Sequence, residues 1–371
     1  MILPGATIGV LGGGQLGRMF VVAARTMGYK TVVLDSDKNS PAGLIADQHI
    51  CAAYDDQAGL IKMAELCDAV TTEFENVPAA SLRKLSENCI VSPSAEAVEI
   101  VQNRGREKNY ALQAGLETTP FKTILSVDDI SDAIKTTGFP AILKLSSLGY
   151  DGKGQAIVRS LEDVVSKFEE FGSVECVLEK MLDLKQEVSV ILGRNTEGDV
   201  SVFPVSENVH INGILHTSTV PANISEEVTE KAQKQAMALA KAMDYVGILT
   251  VEFFITTDDK LVFNEMAPRP HNSGHYTLDA TVTSQFEQQV RTLCGLPTGD
   301  AALISSVVMV NLLGDLWPVD WSLAFAENAL KLHLYGKEEA RPGRKMGHYN
   351  VLAESTEKAK FIAESVFNKI T

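Results

Sequence analysis

Residues 250–275 read TVEFFITTDDKLVFNEMAPRPHNSGH and contain two runs of strand-forming residues, Val251–Ile255 and Leu261–Met266. Both runs are rich in β-branched and aromatic side chains, and only the polar residues TTDD separate them. Two such runs joined by a short polar turn are typical of a β-hairpin. The rest of the chain is interpreted outward from this hairpin.

The register of the hairpin determines which side chains meet across it. A tight turn centred on Asp258–Asp259 would place Thr257 opposite Lys260. Counting back along both strands then places Glu252 opposite Glu265. Directly opposed residues of an antiparallel pair have Cβ atoms about 4.5–5.5 Å apart, and like charges there are destabilising. The sequence therefore predicts two carboxylates that share one spot.

Such a pair could be two solvated glutamates on an exposed sheet face. The neighbouring residues favour burial, because Glu252 lies among Val251, Phe253 and Phe254, while Glu265 follows an apolar run. An unpaired charge in that setting is costly. Mg²⁺ would relieve the cost, since it takes oxygen ligands and is commonly held by one or two carboxylates together with substrate phosphates. We therefore expect a nucleotide site upstream.

Composition limits the classes of function. The chain has 371 residues, 45% hydrophobic and 22% charged, which is ordinary for a globular protein of two or three domains. A formal net charge of −15 disfavours nucleic acid or an anionic membrane as a partner. The five cysteines have no metal-ligand spacing and are expected to be buried, reduced thiols. With no signal peptide or long apolar run, we expect a cytoplasmic protein.

A glycine loop follows the first predicted strand. The strand Thr7–Leu11 meets a GxGxxG pattern at Gly12, Gly14 and Gly17, and a helix follows to about Met27. This order predicts the opening of a Rossmann-like βαβ unit, whose new helix offers free N–H groups to an anion. Asp35 closes the next strand at nearly the distance expected of a ribose-binding acid. An NAD-dependent dehydrogenase is therefore an alternative function.

Acidic and amide groups end another strand of this unit. The sequence EFEN at residues 73–76 follows the predicted strand Ala69–Thr72, at the edge where open parallel sheets bind ligands. A purely helix-capping role for these residues is the alternative. The first domain boundary is expected near Ser94, after the sequence Ser92-Pro93.

A second glycine-rich segment lies at residues 140–158, PAILKLSSLGYDGKGQAIV. Apolar strand residues flank Lys144, and the following loop contains Lys153 and three glycines. A glycine loop between two strands can fold over phosphates and offer them N–H groups. The alternative is an ordinary hairpin with surface lysines. A helix from Leu161 to about Phe171 would complete a small α+β lid.

Three further segments complete the pattern. Val174–Met181 is a predicted strand whose edge backbone groups could pair with a base, and Glu187 opens the next strand, where it could bind ribose or simply be solvated. A helix over Glu226–Met243, capped by Ser225, is expected to be scaffold. The basic stretch HLYGKEEARPGRKMGH at 333–348 could hold a second phosphate through Lys337, Arg341, Arg344 and Lys345, or be a solvated turn.

The order of these motifs resembles the ATP-grasp superfamily. Within it, five segments look like the 5-(carboxyamino)imidazole ribonucleotide synthetases: GGGQLGRM at 12–19, TTEFENV at 71–77, SSLGYDGKGQ at 146–155, NEMAPRPHNSGH at 264–275 and LYGKEEARPGRKMGH at 334–348. The resemblance covers essentially the whole chain. It implies a Rossmann-like domain at residues 1–94, a two-subdomain ATP-grasp domain at 95–296 with its lid at about 120–180, and a small C-terminal substrate-phosphate domain at 297–371.

The resemblance also implies a reaction. Members of the family carboxylate 5-aminoimidazole ribonucleotide with ATP and bicarbonate through carboxyphosphate, a step of purine synthesis. It implies two Mg²⁺ ions, for which Mn²⁺ is expected to substitute, bound by Glu252 and Glu265. A homodimer is expected, because the family forms one. The protein's task would be mainly positioning and charge stabilisation.

Site residues are carried over position by position. The ATP-binding positions implied are Arg104, Lys144, Gly149, Tyr150, Asp151, Gly152, Lys153, Gly154, Gln155, Glu179, Lys180, Met181, Leu182, Glu187, His210, Asn264 and Glu265. The ribonucleotide-binding positions implied are Gln15, Leu16, Glu73, Asn76, Tyr150, Asp151, Arg269, Lys337 and Arg344. Lys153, His271 and Arg269 are the catalytic candidates. Because Asn264 would point away from Glu265 in a regular strand, an irregularity is expected there.

Three alternatives remain open at this point. A dehydrogenase would explain the glycine loop and Asp35, but not the glutamate pair or the lid. A non-enzymatic ATP-binding module would not need the catalytic lysine, the metal carboxylates and the second basic clamp together. Another ATP-grasp carboxylase or a formate-using ligase would differ mainly in the pocket for the nucleophile.

Overall fold

The fold contains three β-sheets and twelve α-helices in the part of the chain that the structure describes, residues 1–147, Gly149 and residues 154–371. The structure is a computed structural model. A parallel sheet near the N-terminus is followed by a small antiparallel sheet and then by a large antiparallel sheet. This α/β and α+β arrangement agrees with the predicted fold class.

The N-terminal sheet is fully parallel, with strand order β3-β2-β1-β4-β5. The central strands are buried on both faces, as expected when helices cover a parallel sheet. Its strands are β1 (Thr7–Leu11), β2 (Lys30–Leu34), β3 (Gln48–Ile50), β4 (Ala69–Thr72) and β5 (Ile90–Val91). Its helices are α1 (Gln15–Thr26), α2 (Gln57–Leu66) and α3 (Ala79–Ser86).

Two helices lead from this sheet into the next unit. α4 (Ala95–Val101) begins at Ser94, whose side chain accepts a hydrogen bond from the Ala97 N–H, and α5 (Arg104–Gln113) begins at Asn103 in the same manner. Each cap satisfies one of the free N–H groups of a helix start. α5 therefore begins at a fixed residue, which places its first turn against the large sheet.

The small antiparallel sheet forms the lid, with order β6-β9-β7-β8. Its elements are β6 (Phe121–Ile124), α6 (Ile130–Thr137), β7 (Ala141–Leu145), β8 (Gln155–Val158), α7 (Leu161–Glu170) and β9 (Cys176–Lys180). The strand predicted in residues 174–181 is confirmed as β9, and it lies inside the sheet. β9 pairs with β6 on one side and with β7 on the other, so its hydrogen-bonding groups are used within the sheet.

The large sheet has nine strands in the order β15-β14-β10-β12-β13-β16-β18-β17, with β11 paired to β10. Its strands are β10 (Leu184–Arg194), β11 (Val200–Val202), β12 (Ser206–Ile211), β13 (Ile214–Val220), β14 (Gly247–Thr256), β15 (Leu261–Ala267), β16 (Ser306–Leu313), β17 (Leu330–Leu334) and β18 (Lys345–Ala353). Because β13 pairs with β16, the C-terminal segment continues the same sheet.

The remaining helices cover this sheet: α8 (Glu226–Ala242), α9 (Thr277–Ala280), α10 (Gln285–Leu293), α11 (Trp321–Phe325) and α12 (Thr356–Ile370). α8 begins at Ser225 as predicted, and it packs Ala232, Ala236 and Leu239 against buried strand residues. Replacing the fully buried Leu239 by alanine would cost about 2–5 kcal/mol of unfolding free energy. In the described part of the chain, no helix has the length and apolar character needed to cross a bilayer.

The predicted hairpin is present, but its turn differs from the prediction. The Thr256 N–H donates to the Lys260 carbonyl at 3.0 Å, so three residues rather than two form the turn. Asp259 has a φ of 60°, in the left-handed region that aspartate tolerates better than most residues. This turn shifts the pairing near the loop by one residue from the predicted register.

A β-bulge reverses this shift before the two glutamates. Phe253 pairs with Phe263, but the next pair is Glu252 with Glu265, which leaves Asn264 as the extra residue. The predicted opposition of the two carboxylates is therefore confirmed, and so is the expected irregularity at Asn264. A bulge also allows neighbouring side chains to face one side, which is how Asn264 and Glu265 both reach the cleft.

Two other expectations need correction. The sequence reasoning missed the hairpin formed by β12 and β13, although its turn, Asn212-Gly213, is a strong hairpin signal with positive φ at both residues. The cysteines are all unpaired, but Cys51 is exposed rather than buried. It follows the short strand β3, where the chain leaves the sheet.

Candidate active site

A cleft of about 530 Å³ lies between the N-terminal sheet, the lid and the large sheet. It brings together predicted residues that are distant in the sequence. Those that line it are Gln15, Leu16, Glu73, Asn76, Arg104, Lys144, Gly149, Gln155, Glu187, His210, Glu252, Asn264, Glu265, Arg269 and His271. Its size is in the range of small-molecule sites.

Other predicted residues have different positions. Within the described part of the chain, the lining of the cleft does not include Gly154, Glu179, Lys180, Met181, Leu182, Lys337 or Arg344. The predictions for Tyr150, Asp151, Gly152 and Lys153 lie outside the described residues.

The two glutamates of the hairpin have unequal surroundings. Glu265 Oε2 accepts a hydrogen bond from Arg104 Nη1 at 2.9 Å. Burial alone would raise the pKa of Glu265, but Arg104 and Lys144 outweigh it and lower that pKa. Burial and the neighbouring Glu265 raise the pKa of Glu252 to about 8. The pair therefore carries one carboxylate compensated by a guanidinium and one that resists ionisation.

His271 is the neighbour of the uncompensated carboxylate. Its Nε2 lies 3.2 Å from Glu252 Oε1, while its Nδ1 accepts a hydrogen bond from the Ser273 N–H at 3.3 Å. The donation to Nδ1 places the imidazole proton on Nε2, facing Glu252. Burial lowers the pKa of His271 well below its usual range. Glu252 thus faces a neutral imidazole rather than a cation.

A buried hydrogen-bonded chain supports His271 from behind. Ser273 Oγ lies 2.9 Å from His271 Nδ1 and 2.7 Å from Ser189 Oγ. Asn208 donates to Ser189 Oγ at 3.0 Å and accepts from Ser218 Oγ at 2.8 Å. The chain thus connects Ser218 through Asn208, Ser189 and Ser273 to the imidazole. These residues were not singled out from the sequence.

Gln285 fixes the backbone at the same histidine. Its Oε1 accepts from the His271 N–H at 2.9 Å, and its Nε2 donates to the His271 carbonyl at 2.8 Å. Gln285 is fully buried on α10. A two-point amide clamp of this kind restricts the backbone more than a single hydrogen bond would.

α5 supports the bulged strand with the side chains of Arg104, Glu107 and Lys108. In addition to Arg104, Glu107 accepts from the Met266 N–H at 2.6 Å, and Lys108 donates to the Asn264 carbonyl at 3.1 Å. Burial and Glu265 raise the pKa of Glu107 to about 8. Burial lowers the pKa of Lys108. The bulge is thus fixed by three side chains of one helix face. Arg104 was selected from the sequence, whereas the roles of Glu107 and Lys108 were not predicted.

Glu179 links this helix to the lid. Its carboxylate lies 3.3 Å from Lys108 Nζ and 2.9 Å from Lys144 Nζ. Burial opposes ionisation, but the two lysines lower the pKa of Glu179 to about 2. The carboxylate of Glu179 therefore orients Lys144. A contact with adenine from this segment would have to come from the backbone or from the residues after Lys180.

The backbone after β9 is partly engaged. The Lys180 carbonyl accepts from Thr119 Oγ1 at 2.9 Å, and the Met181 N–H donates to the Pro140 carbonyl at 3.1 Å. A carbonyl oxygen has a second lone pair, so Lys180 can still accept another hydrogen bond. The segment lies where the lid sheet ends and β10 begins.

Glu187 and His210 meet across the large sheet. His210 Nδ1 lies 2.9 Å from Glu187 Oε2, because β10 and β12 are adjacent and a bulge precedes His210. Burial would lower the pKa of His210, but Glu187 outweighs it and raises that pKa. The pair forms a polar part of the cleft wall.

The glycine loop is occupied by the protein's own carboxylate. Glu73 accepts hydrogen bonds from the Gly14 N–H at 2.6 Å and the Gly17 N–H at 2.7 Å. These are the peptide groups that would hold a pyrophosphate in a dinucleotide-binding protein. Asp35 accepts from the Gly13 N–H at 2.7 Å and from Tyr54 Oη at 2.6 Å. The glycine loop and Asp35, which suggested a dehydrogenase, thus hydrogen-bond to each other.

Arg269 lies between the glycine loop and the hairpin. Its Nε donates to Glu75 Oε2 at 2.5 Å, and its Nη1 donates to the Pro270 carbonyl at 3.0 Å. Burial opposes ionisation of Glu75, but Arg269 outweighs it and lowers the pKa of that carboxyl. Glu75 is a site residue that the sequence reasoning did not select, although it belongs to a segment that was identified.

Asn272 is a second missed residue of the cleft. It lines the cavity beside His271, and both polar atoms of its amide are buried without a hydrogen-bond partner in the described part of the chain. Buried amides nearly always have partners, so an unsatisfied one beside a cleft indicates a ligand or water contact. No separate signal in the sequence marks this residue.

The C-terminal basic residues approach the cleft from the other side. Lys337 Nζ donates to the Lys345 carbonyl at 2.7 Å and acts electrostatically on Glu73. Lys345 lines the cleft. Arg344 donates to the Glu339 carbonyl at 2.8 Å, and Arg341 pairs with the Glu339 side chain on the surface. Of the four basic residues of this stretch that were predicted to hold a phosphate, Lys345 is thus the one that lines the cleft.

Family profiles match three consecutive parts of the chain. Residues 5–102 match the ribonucleotide synthetase preATP-grasp domain, residues 109–286 the ATP-grasp domain, and residues 307–361 the phosphoribosylaminoimidazole carboxylase C-terminal domain. The first match covers the parallel sheet, the second covers the small sheet and the large sheet as far as β15, and the third covers the C-terminal strands of the large sheet; together they cover most of the chain.

Relatives and solved structures are similar over nearly the full length. The N5-carboxyaminoimidazole ribonucleotide synthase of Brucella melitensis is 45% identical over 347 residues, 93% of this chain and 96% of that protein. The Bacillus subtilis enzyme of that name is 42% identical, over 95% of this chain and 93% of its own. A crystal structure of an N5-carboxyaminoimidazole ribonucleotide synthetase with ADP has a TM-score of 0.93 at 45% identity. The match covers 99% of this chain and 97% of that one. The Aspergillus clavatus enzyme with ADP and 5-aminoimidazole ribonucleotide has a TM-score of 0.90 at 30% identity, covering 98% of each.

Proposed function

Because the chain belongs to the N5-carboxyaminoimidazole ribonucleotide synthase family, we propose how its cleft performs the ATP-dependent carboxylation of 5-aminoimidazole ribonucleotide. The chain is an ATP-dependent ligase of purine biosynthesis. We further propose the roles of individual residues, the metal, the carbon source and the assembly.

ATP is assigned to the side of the cleft between the lid and the large sheet. Lys144 and Arg104 supply positive charge for its phosphates, and both are oriented by carboxylates rather than left mobile. Glu187 offers acceptors for ribose hydroxyls beside His210. The base is assigned to the segment from Lys180 to Leu182, with Gly149 to Gln155 as the loop over the phosphates. The roles of Tyr150, Asp151, Gly152 and Lys153 rest on the family resemblance.

Two Mg²⁺ ions are assigned to Glu252, Glu265 and the phosphates of ATP, with Asn264 beside them. The donor set fits Mg²⁺, since two carboxylates and an amide oxygen are hard ligands that leave positions for phosphate and water. In the described part of the chain, no group of three or more His, Cys, Asp or Glu side chains could hold a metal alone. When bound, the metal would neutralise charge on the transferred phosphoryl group. Mn²⁺ has the same ligand preference and is expected to substitute.

Bicarbonate is the proposed source of carbon. Its oxygen would attack the γ-phosphorus of ATP, forming carboxyphosphate and releasing ADP. The amine of the ribonucleotide would then attack the carboxyl carbon, forming the carbamate and releasing phosphate and one proton. Arg269, His271 and Asn272 are assigned to bicarbonate, because they lie together in the wall and the Asn272 amide has no partner in the described chain. The neutral His271 would orient the bicarbonate anion by a hydrogen bond and would not neutralise its charge.

The ribonucleotide is assigned to the region between the N-terminal sheet and β18. Gln15, Leu16, Glu73 and Asn76 line this end of the cleft, and Lys345 lines its opposite wall. Lys337 and Arg344 are proposed to bind the 5′-phosphate. Lys337 acts on Glu73 electrostatically, which supports a common ligand for the two residues. Asn39 contacts Glu338 at 3.3 Å, so the first and last parts of the chain already meet here.

One observation carries the proposal: Glu252 and Glu265 are opposed at a bulge in the same cleft that contains Lys144 and Glu73. A homodimer and a cytoplasmic location are also proposed. The unpaired state of all five cysteines supports a reducing compartment.

The test is phosphate release from ATP by the purified protein. We expect release to require Mg²⁺, bicarbonate and 5-aminoimidazole ribonucleotide together, with labelled bicarbonate appearing in an acid-labile product. Formate in place of bicarbonate, and a ribonucleotide with an aliphatic amine in place of the aminoimidazole, are the matched controls. Turnover with either control at a comparable rate would contradict the assignment of the substrates.

A further inference from the structure

We propose that Asp35 and Tyr54 are positioning residues for the ribonucleotide, acting through the glycine loop on Glu73. This inference rests on the proposed function, because it assigns Glu73 to that substrate. It also explains why a chain that does not use a dinucleotide keeps a GxGxxG loop followed by an aspartate.

The first step is the fixation of Asp35. Its Oδ2 accepts from the Gly13 N–H at 2.7 Å and from Tyr54 Oη at 2.6 Å, and its Oδ1 accepts from the Asp37 N–H at 2.7 Å. Asp35 is only 8% exposed. Three donors directed at one buried carboxylate leave it a single orientation. Asp35 therefore fixes the glycine loop, not the ribose hydroxyls of a cofactor.

The second step is the fit of Glu73 into the loop. The N–H groups of Gly14 and Gly17 donate to separate oxygens of its carboxylate. A Cβ on Gly12 would lie 2.2 Å from Glu73 Cγ, and Gly12 has a φ of +108°. A Cβ on Gly14 would lie 2.7 Å from Glu73 Oε1. The glycines are thus required for close approach of the loop to this carboxylate.

The third step concerns the acceptor capacity that the Glu73 carboxylate still has for a ligand. Each carboxylate oxygen has acceptor capacity beyond the one peptide N–H that it binds. Glu73 lines the cleft, so this remaining capacity is open to a ligand. An oriented carboxylate acceptor selects hydroxyl or amine donors and rejects analogues that lack them. The chemistry fits the hydroxyl groups of a 5′-phosphorylated ribonucleoside.

Tyr54 reaches the same site by a second contact. Its ring lies edge-on to Phe74, with centroids 5.1 Å apart and an interplanar angle of 64°. Phe74 follows Glu73 directly and also lines the cleft. Tyr54 therefore touches the segment of Glu73 through its ring and the glycine loop through its hydroxyl. Removing only the hydroxyl separates the two contributions.

The experiment compares Tyr54→Phe with Tyr29→Phe in the full-length protein. The hydroxyl of Tyr29 is also engaged in the N-terminal domain, where it donates to the Ile2 carbonyl at 2.9 Å, and Tyr29 is 3% exposed. For Tyr54→Phe we expect the KM and the equilibrium Kd for 5-aminoimidazole ribonucleotide to rise about fivefold. The variant loses one charge-assisted hydrogen bond to Asp35, and only part of that loss reaches the ribonucleotide through the glycine loop. The KM for ATP should stay within about twofold. Tyr29→Phe should leave both constants unchanged.

Asp35→Asn supplies the larger effect. Asparagine offers one acceptor oxygen and places an NH₂ group among three donors, so we expect a rise of about tenfold or more in the same two constants. If this variant does not fold, Tyr54→Phe still decides the question. Equal changes in the ATP and ribonucleotide constants, or unchanged ribonucleotide binding by folded variants, would overturn the inference.

The outcome is separable from that of the proposed function. If the unmodified protein releases phosphate independently of the ribonucleotide, the proposed function fails whatever the variants do. If release depends on the ribonucleotide but Tyr54→Phe behaves like Tyr29→Phe, only the role of Asp35 and Tyr54 is wrong.

Discussion

The glycine loop and the glutamate hairpin both place carboxylates in one cleft, but they compensate the charge differently. Glu73 receives two peptide N–H donors from the loop, whereas Glu265 receives a guanidinium and Glu252 faces a neutral imidazole. Burial raises the pKa of Glu73 even so, with the N–H groups of Gly17 and Gly14 acting in the opposite direction. The loop therefore holds a single acceptor in place, while the hairpin holds a pair that a divalent cation would complete.

The difference suggests what each region is suited to bind. Peptide dipoles fix a carboxylate without a counter-ion, so the loop can present it to neutral hydroxyl donors. Of the two opposed carboxylates only Glu265 has a cationic partner within the described residues, so the hairpin is suited to a divalent metal that would replace the proton of Glu252, and to the phosphates that come with such a metal. The following variants and conditions test this contrast, beginning with the largest expected effect.

Replacing Glu265 by glutamine tests whether the hairpin requires both carboxylates. We expect turnover to fall by at least about a thousandfold, because both the metal site and the partner of Arg104 are lost. The circular dichroism spectrum and the unfolding temperature should remain close to those of the unmodified protein. Glu354→Gln, on the surface, is the matched control. Retained Mg²⁺-dependent turnover would contradict the metal assignment.

The pH dependence of Mg²⁺ binding tests the uncompensated member of the pair. The pKa of Glu252 is raised from 4.5 to about 8 in the folded protein, mainly by burial and then by Glu265. Folding therefore favours the protonated carboxyl group. Its contribution to the free energy of unfolding is fully present below pH 4.5 and is lost as the pH rises through 8. Since Mg²⁺ displaces that proton, its apparent affinity should fall about tenfold per pH unit below 8.

Titration calorimetry of Mg²⁺ with a non-hydrolysable ATP analogue between pH 6 and 8.5 measures this slope. Glu252→Gln should bind Mg²⁺ weakly at every pH in the range, and without the slope. A flat profile for the unmodified protein would show that Glu252 is already ionised without metal.

Lys337 tests whether the glycine-loop side receives its positive charge from the C-terminal segment. For Lys337→Ala we expect the Kd of the ribonucleotide to rise about ten- to a hundredfold, as when one phosphate contact is lost. Binding of ATP should change little, and so should its dependence on Mg²⁺. Lys331→Ala, an exposed lysine of β17, is the control. An equal loss of affinity for both ligands would show that the clamp is misplaced.

The smallest expected effect belongs to the buried chain behind His271. Ser189 and Ser206 are each 1% exposed and lie 2.7 Å apart, but only Ser189 connects Asn208 to Ser273. We expect Ser189→Ala to lower kcat about fivefold with little change in either KM, and Ser206→Ala to leave kcat within about twofold. If the two variants behave alike, the chain contributes to stability but not to the orientation of His271.

The hairpin shows how far prediction from the sequence reached. Alternating apolar runs and the polar turn predicted the strands, and the opposition of Glu252 and Glu265 is confirmed. The turn itself was predicted wrongly, because a three-residue turn and a bulge at Asn264 differ from the predicted register by compensating shifts. Strand propensity is local and visible in composition, whereas turn length and bulges depend on what the two strands pack against.

The site shows the complementary lesson. Residues within recognisable motifs, such as Lys144 and Arg269, were selected from the sequence and line the cleft. Lys108, Asn272 and Gln285 were missed, because their roles arise from contacts with residues far away in the chain. The Asn212-Gly213 turn was a usable signal that would have revealed the strand of His210.

The succession of elements and the family follow from the sequence alone, because local propensity and motif order encode them, and the cost of buried like charges is the ground on which a cation at the hairpin is proposed. Only the tertiary structure decided that Glu73 fills the glycine loop and that Glu179 bridges Lys108 and Lys144. The physical reason is that hydrogen bonds and ion pairs between distant segments depend on ångström-scale placement, which spacing along a chain does not encode.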